Sequence, residues 1–241
     1  NKADLGISVD PDVDRLALIC ENGQPFGEEY TLVSVADYLL SRIYNEALKT
    51  GKSIEEIAAP YQMVTSSNLS SSRALRDVTE QYGGEYCTAA VGEVNVTTKM
   101  REAGALIGGE GNGGVIYPAL HYGRDAMVGV ALFLTNLAYK KMKVSELRAS
   151  YPEYVIAKNK IELSDSALID RILEEVKTVY AAEDINTIDG VKISFEAKKE
   201  WVHLRRSNTE PIIRIYAEAA TAEAADALAQ QIIAIANKII G

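Results

Sequence analysis

Cysteine is nearly absent: Cys20 and Cys87 are the only two in 241 residues. Both sit in apolar stretches and read as buried or half-buried free thiols, which excludes a disulfide framework and fits a reducing cytoplasm. Basic residues are in deficit, 25 Lys and Arg against 34 Asp and Glu, for a net charge of -9. That balance excludes nucleic acid and an anionic membrane surface as partners, since both require a basic surplus. It leaves room for a small anionic ligand gripped by a local group of arginines. No apolar run approaches the ~20 residues needed to cross a bilayer, and no signal-peptide pattern opens the chain, so the expected location is cytoplasmic. There is no internal repeat and no low-complexity tract. What remains is the composition of a globular protein, 47% hydrophobic and 24% charged, long enough for one large domain or two medium ones.

The chain enters as if mid-strand, suggesting that an upstream region has been cut away. Two short apolar runs, residues 5–9 and 16–20, flank an acidic loop and predict a pair of strands. Asn22, Gly23, Pro25 and Gly27 then break the pattern and suggest a domain crossing. A helix is predicted over 31–49, with Leu32, Val35, Ala36, Leu39, Leu40 and Ile43 on one stripe. Alternating signals follow: a strand over 57–66, a helix over 70–82 stopped by Gly83 and Gly84, a strand over 85–91, a short helix over 96–104, a strand over 105–110, and a strong helix over 124–142 with basic residues at its C-terminal end. This rhythm predicts an α/β domain with a largely parallel sheet. After residue 150 the pattern changes. A strand (155–163), a helix capped by Ser164 or Asp165, several closely spaced strands and a long Ala-rich helix over 222–240 predict a smaller α+β domain. The expected division is 1–25 as a remnant of an earlier α/β domain, 26–148, and 152–241.

Three loops carry residues suited to chemistry. In the first, Asp10-Pro11-Asp12-Val13-Asp14-Arg15, three carboxylates at alternate positions repel one another unless a cation sits among them, and hard oxygen ligands suit Mg²⁺ or Ca²⁺. Taken alone, the loop reads equally as a metal site or as a solvated acidic turn. A calcium EF-hand fits poorly, because Arg15 stands where the turn needs Gly and the following positions are apolar. The second loop, residues 108–114, places Glu110 and Asn112 among five glycines. Glycines permit close approach of a ligand, and a carboxylate beside an amide can bind a pair of sugar hydroxyls. A flexible turn explains the same letters. The third, Arg205-Arg206-Ser207-Asn208-Thr209-Glu210-Pro211 with Arg214 beyond it, combines arginine forks, hydroxyls and an amide that match phosphate oxygens. An Asn-Thr hairpin turn with surface arginines is the alternative.

The order of the three loops decides between these readings. An Asp-x-Asp-x-Asp-Arg loop, then Gly-Glu-x-Asn-Gly, then Arg-x-Ser-Asn-Thr-Glu-Pro resembles the α-D-phosphohexomutases, over essentially all 241 residues. These enzymes, among them phosphomannomutases, phosphoglucomutases and phosphoglucosamine mutases, have four domains around a central cleft. The resemblance implies that residues 1–25 end the second domain, 26–148 form the third and 152–241 the fourth. It implies Asp10, Asp12 and Asp14 as Mg²⁺ ligands, Arg15 beside the transferring phosphate, and Glu110 and Asn112 as the readers of the sugar hydroxyls. Arg205, Ser207, Asn208, Thr209 and Arg214 are implied as the site for the phosphate that is not being transferred.

Two departures stand against the family pattern. The family's first domain carries a phosphoryl-bearing serine in Thr-Ala-Ser-His-Asn-Pro, which occurs nowhere here. The serine-rich stretch 66–72 lacks the His and Pro and reads as a helix start. Second, Val94 stands about where the family often has Lys or Arg, with Lys99, Arg101 or Arg124 as candidate substitutes. The implied reaction of the whole enzyme moves a phosphoryl group between O1 and O6 of a hexose phosphate through a bisphosphate. His121 reads as a surface histidine or a proton relay. His203 alternates with Val202 and Leu204 and is expected on the opposite side of its strand. The rival reading is a non-catalytic phosphosugar-binding module.

Overall fold

The computed structural model describes residues 2–163, 167–207 and 212–240. Contacts divide the chain into two compact units, 1–152 and 153–241.

The first unit opens with β1 (Leu5–Val9) and β2 (Leu16–Cys20), an antiparallel pair. Pairing of β1 starts at Leu5, so residues 2–4 lie outside the strand expected at the head of the sequence. Helix α1 (Glu28–Thr50) starts three residues before the predicted point and ends on Gly51, whose left-handed φ of 71° lets its N–H bond the carbonyl of Ala47. Its first half is buried on nearly every side, including the polar Thr31, Ser34, Asp37 and Ser41. The strand predicted from residue 57 is corrected. Residues Ile54–Ala58 form a short helix, α2, because Ser53 and Glu56 make a reciprocal capping box at its start. Pro60 follows, and β3 (Gln62–Asn68) begins only after it.

The remaining elements of this unit are α3 (Ala74–Gln81), β4 (Glu85–Ala89), α4 (Glu93–Ala103), β5 (Ala105–Glu110), β6 (Gly114–Ile116), α5 (Ala126–Lys140) and α6 (Val144–Ala149). The sheet runs β4-β3-β5-β6, with the first three strands parallel and β6 returning antiparallel to β5. All six residues of β5 are buried, as expected for a central parallel strand covered on both faces. The serine stretch is also corrected. Ser66 and Ser67 lie in β3 and Ser71 and Ser72 are buried in the loop after it, while the helix waits until Ala74. β6 and α6 had no clear signal, since three-residue strands and one-turn helices are too short to show a period.

The second unit holds β7 (Val155–Glu162), α7 (Ala167–Val179), β8 (Asp184–Asn186), β9 (Val191–Phe195), β10 (Glu200–Arg206), β11 (Ile212–Ala219) and α8 (Ala222–Ile240). Its sheet order is β7-β11-β10-β9-β8, antiparallel throughout. The strands present Ile161, Val191, Ile193, Val202, Leu204, Ile213 and Ile215 to a core shared with α7 and α8 residues such as Ile172, Val176, Ala229 and Ile232. The predicted cap residues of α7, Ser164 and Asp165, lie outside the described residues. α8 is capped by Thr221, whose hydroxyl accepts the N–H of Ala224 at 3.2 Å. Cys20 and Cys87 are free, and burial pushes both thiols up from their ordinary range, which makes them poor nucleophiles. Among the described residues no helix is long and apolar enough to cross a membrane.

Candidate functional site

The acidic loop closes the β1–β2 hairpin. Asp10 Oδ1 accepts the backbone N–H groups of Asp14 and Arg15 at 3.1 and 3.2 Å, an Asx-type closure that fixes the turn. Burial works against ionisation of Asp10, but these N–H groups, with that of Arg15 foremost, hold its carboxyl below the ordinary range. Asp14 shifts the other way: burial, and then the neighbouring Asp10 carboxylate, push it up. Arg15 lies 3.8 Å from Asp10 and 3.9 Å from Asp14, with its side chain 52% exposed.

The loop is also tied to the rest of its unit. Leu16 N donates to the carbonyl of Gly113, and Ala126 N at the head of α5 donates to the carbonyl of Val13, both at 3.1 Å. The second loop, between β5 and β6, is therefore docked onto the first. Its glycines are explained by that docking. Gly113 has φ 84°, and a Cβ there would collide with the backbone of Leu16; one on Gly111 would collide with the Glu29 carboxylate. Of the two readings of these letters, the flexible turn gives way to a tightly packed hairpin. Its support includes Glu29, which the sequence did not single out, and Ser71 and Ser72, which it read as part of a helix start. Ser71 Oγ accepts the N–H of Gly111 at 3.0 Å, and Glu29 accepts the N–H of Ser72 at 2.8 Å.

Glu110 is buried at 6% exposure. It accepts from Asn68 Nδ2 and from Arg124 Nη1, each at 2.9 Å. Two donors leave part of its acceptor capacity available, since an ionised carboxylate offers about four lone-pair sites. Asn112 is half-buried, and its Oδ1 accepts the N–H of Gly114 at 3.1 Å. A pocket of about 320 Å³ is lined by Ser8, Asp10, Arg15, Glu28 and Asn112 among others. The structure thus brings together Asp10, Arg15 and Asn112, from loops far apart in the sequence.

The donor set suits a hard divalent cation. Three carboxylates share one short loop, and Asp14 Oδ1 is buried without a hydrogen-bond donor, an orphaned oxygen of the sort a metal would satisfy. Among the described residues no group of three or more Asp, Glu, His or Cys side chains is already placed to hold a metal ion. Of the two histidines, His121 is exposed and lies 2.9 Å from Asp125 Oδ2. Burial opposes ionisation of Asp125, but the N–H of Val128 and the His121 ring outweigh it and lower its pKa.

In the second unit, Arg205 on β10 sits directly opposite Arg214 on β11, and Arg214 opposite Lys160 on β7. Period-2 geometry puts all three on the same sheet face, away from the apolar core. Like charges placed directly across a sheet are unfavourable unless an anion joins them. Arg205 Nε is buried with no partner. Ser207 is buried, and its N–H donates to the carbonyl of Ile212 at 3.0 Å. Asn208 and Thr209 lie outside the described residues.

Comparison with known proteins gives a single picture. Residues 30–154 match the model of the phosphoglucomutase/phosphomannomutase alpha/beta/alpha domain III, and residues 158–235 that of the phosphoglucomutase/phosphomannomutase C-terminal domain. A probable phosphoglucosamine mutase of Methanopyrus kandleri is 32% identical over 239 residues, covering 99% of this chain and 49% of the relative. A phosphoglucosamine/phosphogalactosamine mutase of Sulfurisphaera tokodaii is 34% identical over 234 residues, covering 96% and 48%. The chain spans about half the length of the curated relatives it matches. Among solved structures, a phosphoglucomutase/phosphomannomutase family protein from Burkholderia thailandensis superposes with a TM-score of 0.76 at 25% identity, covering 99% of this chain and 47% of the other. The Aspergillus fumigatus N-acetylphosphoglucosamine mutase, solved with GlcNAc-6P and magnesium, has a TM-score of 0.67 over 98% of this chain and 49% of its own, at 15% identity, a likeness of fold.

Proposed function

The chain belongs to the phosphoglucomutase/phosphomannomutase family, and from that premise we propose that it supplies the cation-holding, sugar-reading and phosphate-holding parts of a hexose-phosphate mutase. The reaction is transfer of a phosphoryl group between O1 and O6, with glucosamine phosphate as the first candidate substrate and mannose phosphate the second. The observation that carries the reading is one pocket lined by Asp10, Arg15 and Asn112 together. The names of the two archaeal relatives support the choice of amino sugar.

In this reading a serine outside these 241 residues carries the phosphoryl group. It passes the group to the free hydroxyl of the hexose monophosphate, giving a 1,6-bisphosphate, and takes back the phosphoryl from the other oxygen. Asp10, Asp12 and Asp14 would hold Mg²⁺, which when bound neutralises charge developing on the transferred group. The half-exposed Arg15 guanidinium faces the same pocket and adds fixed positive charge there. Glu110 and Asn112 orient the ring hydroxyls. Arg205, Ser207 and Arg214, with Asn208 and Thr209, grip the phosphate that stays in place. The free thiols, Cys20 buried and Cys87 half-buried, suit a reducing cytoplasm.

The 241-residue chain is expected to bind glucosamine 6-phosphate in calorimetry and to show no mutase turnover in a coupled assay supplied with bisphosphate. Turnover well above background would place the phosphoryl carrier within these residues. Failure to bind any of the glucosamine, mannose or glucose phosphates would end the mutase reading.

The phosphate subsite is testable by itself. Arg205→Ala removes a planar fork and is expected to weaken inorganic phosphate binding about tenfold or more, one decade being ~1.4 kcal/mol. Arg205→Lys should recover only part, because a point charge cannot make a bidentate contact. Glu110→Ala should leave phosphate affinity unchanged. Titration followed by the amide shift of Ser207 decides it, and an amide indifferent to phosphate in the unmutated chain would remove the site from this loop.

A further inference from the structure

Arg124 belongs to none of the three loops. Its guanidinium meets Asp14 Oδ2 at 2.5 Å through Nη2, Glu110 Oε2 at 2.9 Å through Nη1 and Glu93 Oε2 at 3.1 Å through Nε. Its own backbone N–H donates to the other oxygen of Glu93 at 3.1 Å. The side chain is only 13% exposed. Three carboxylates from three elements thus converge on one cation: the acidic loop, the first residue of α4 and the last residue of β5. The other basic side chains of this region are engaged elsewhere. Arg101 stacks on the Tyr122 ring at 3.7 Å, and Lys99 lies 3.7 Å from Glu102 near the surface.

We propose that Arg124 is a positioning residue that fastens Asp14 of the acidic loop to Glu110 of the glycine hairpin, so that a divalent cation taking Asp14 must compete with it. The inference rests on the reading of the acidic loop as a cation site and of Glu110 as a sugar contact. Without a cation, the guanidinium neutralises part of the charge that Asp10, Asp12 and Asp14 concentrate. Its fork geometry allows one planar group to serve two carboxylates at once, which an ammonium could not do with the same direction. Glu93 holds both the backbone and the side chain of Arg124, so the arginine remains in place when Asp14 turns away. Glu110 then becomes the principal partner of the two terminal nitrogens, and its remaining acceptor sites are redirected. Coupling of this kind is reciprocal: what the cation does to Glu110, a ligand on Glu110 does to the cation.

The test uses the 241-residue chain, with MgCl₂ as the probe, calorimetry for affinity and amide shifts for the local response. Arg124→Gln is expected to bind Mg²⁺ about five- to tenfold more tightly, since a competing positive charge is gone, and Arg124→Lys to fall between the two. A second arm needs no metal. Asp14→Asn should shift the amides of Gly109, Glu110 and Gly111 in the unmutated background, and should leave them in place once Arg124 is Gln. Unchanged Mg²⁺ affinity in Arg124→Gln overturns the competition, and an Asp14→Asn effect that persists without the arginine overturns the bridge. If neither protein responds to Mg²⁺, the acidic loop loses its cation assignment and the metal-free arm decides the bridge alone. The amide spectrum itself reports whether Arg124→Gln is folded; Arg124→Lys in both arms serves if it is not.

Discussion

Asp37→Ala is expected to destabilise the first unit by about 3–5 kcal/mol, the range for removing one member of a buried charged network. Asp37 is 3% exposed on α1. Its Oδ1 accepts the Tyr82 hydroxyl at 2.7 Å, and its Oδ2 accepts the Tyr151 hydroxyl and lies near Lys140 Nζ, both at 2.9 Å. Burial and then the hydrogen bond to Asp37 raise the Tyr82 pKa; burial and then the Asp37 charge raise that of Tyr151. Both hydroxyls therefore stay protonated as donors. Removing the acceptor strands the buried Tyr151 hydroxyl, at about 1–3 kcal/mol, and deprives the half-buried Tyr82 hydroxyl of its partner at a smaller cost, while Lys140 can turn partly to water. Asp37→Asn keeps the shape and one acceptor, and should cost less than half as much. Urea unfolding of the three proteins, followed by far-UV signal, is the measurement. A loss below about 1 kcal/mol for the alanine variant would show that the network is energetically idle.

The second large effect is a dependence on pH seated in the other unit. His203 is 1% exposed on β10, with Nε2 2.6 Å from the carbonyl of Asp189. Burial depresses its pKa to about 4; the Asp189 carbonyl opposes this only in part. In the unfolded chain the ring titrates near its ordinary ~6.5. As pH falls from there towards 4 the unfolded state takes up a proton and the folded state does not, so stability falls with pH across that window. Above about 6.5 both states are neutral and the effect is absent. The loss by pH 4 is roughly 2–4 kcal/mol, one pKa unit being about 1.4 kcal/mol. Trp201 is the single tryptophan and is buried two residues away on the same strand, so its fluorescence reports this unit selectively. Unfolding free energies at pH 7.5, 5.5 and 4.5 should decline for the natural chain and decline by less for His203→Gln. Equal slopes in the two proteins would assign the acid sensitivity to carboxylates instead.

Elements with a long period were readable from the sequence. The stripe of α1, the Ala-rich α8 and the βαβ rhythm of the first unit lie where apolar spacing put them, within a few residues. His203 was placed opposite Val202 and Leu204 by alternation alone, and the sheet register agrees. The errors fell where a local hydrogen bond overrode composition. The Ser53–Glu56 capping box starts α2 where the apolar residues from 57 on predict a strand. The serines at 66–72 resembled a helix start, but they finish a parallel strand and brace the glycine hairpin. The candidate site was legible as three loops because charge clusters and glycine runs are local. What was not legible is what joins them. Arg124, Glu93 and Asn68 reach the site from separate elements, and a single sequence carries no sign that Arg124 faces Asp14 and Glu110 rather than solvent.

The docking of the glycine hairpin on β2 limits what mutation can write there. At each of the five glycines between 108 and 114 an added Cβ would stand closer than 3.0 Å to a neighbouring atom, which includes backbone at Gly108, Gly109 and Gly113 and is side chain alone at Gly111 and Gly114. The backbone scaffold dictates the first three letters, and packed side chains disfavour change at the other two, whatever the ligand. The loop therefore has two free characters, at 110 and 112, and Glu110 is already committed to Asn68 and Arg124. Within this loop, a lineage changing its preferred sugar has essentially one position to edit, Asn112.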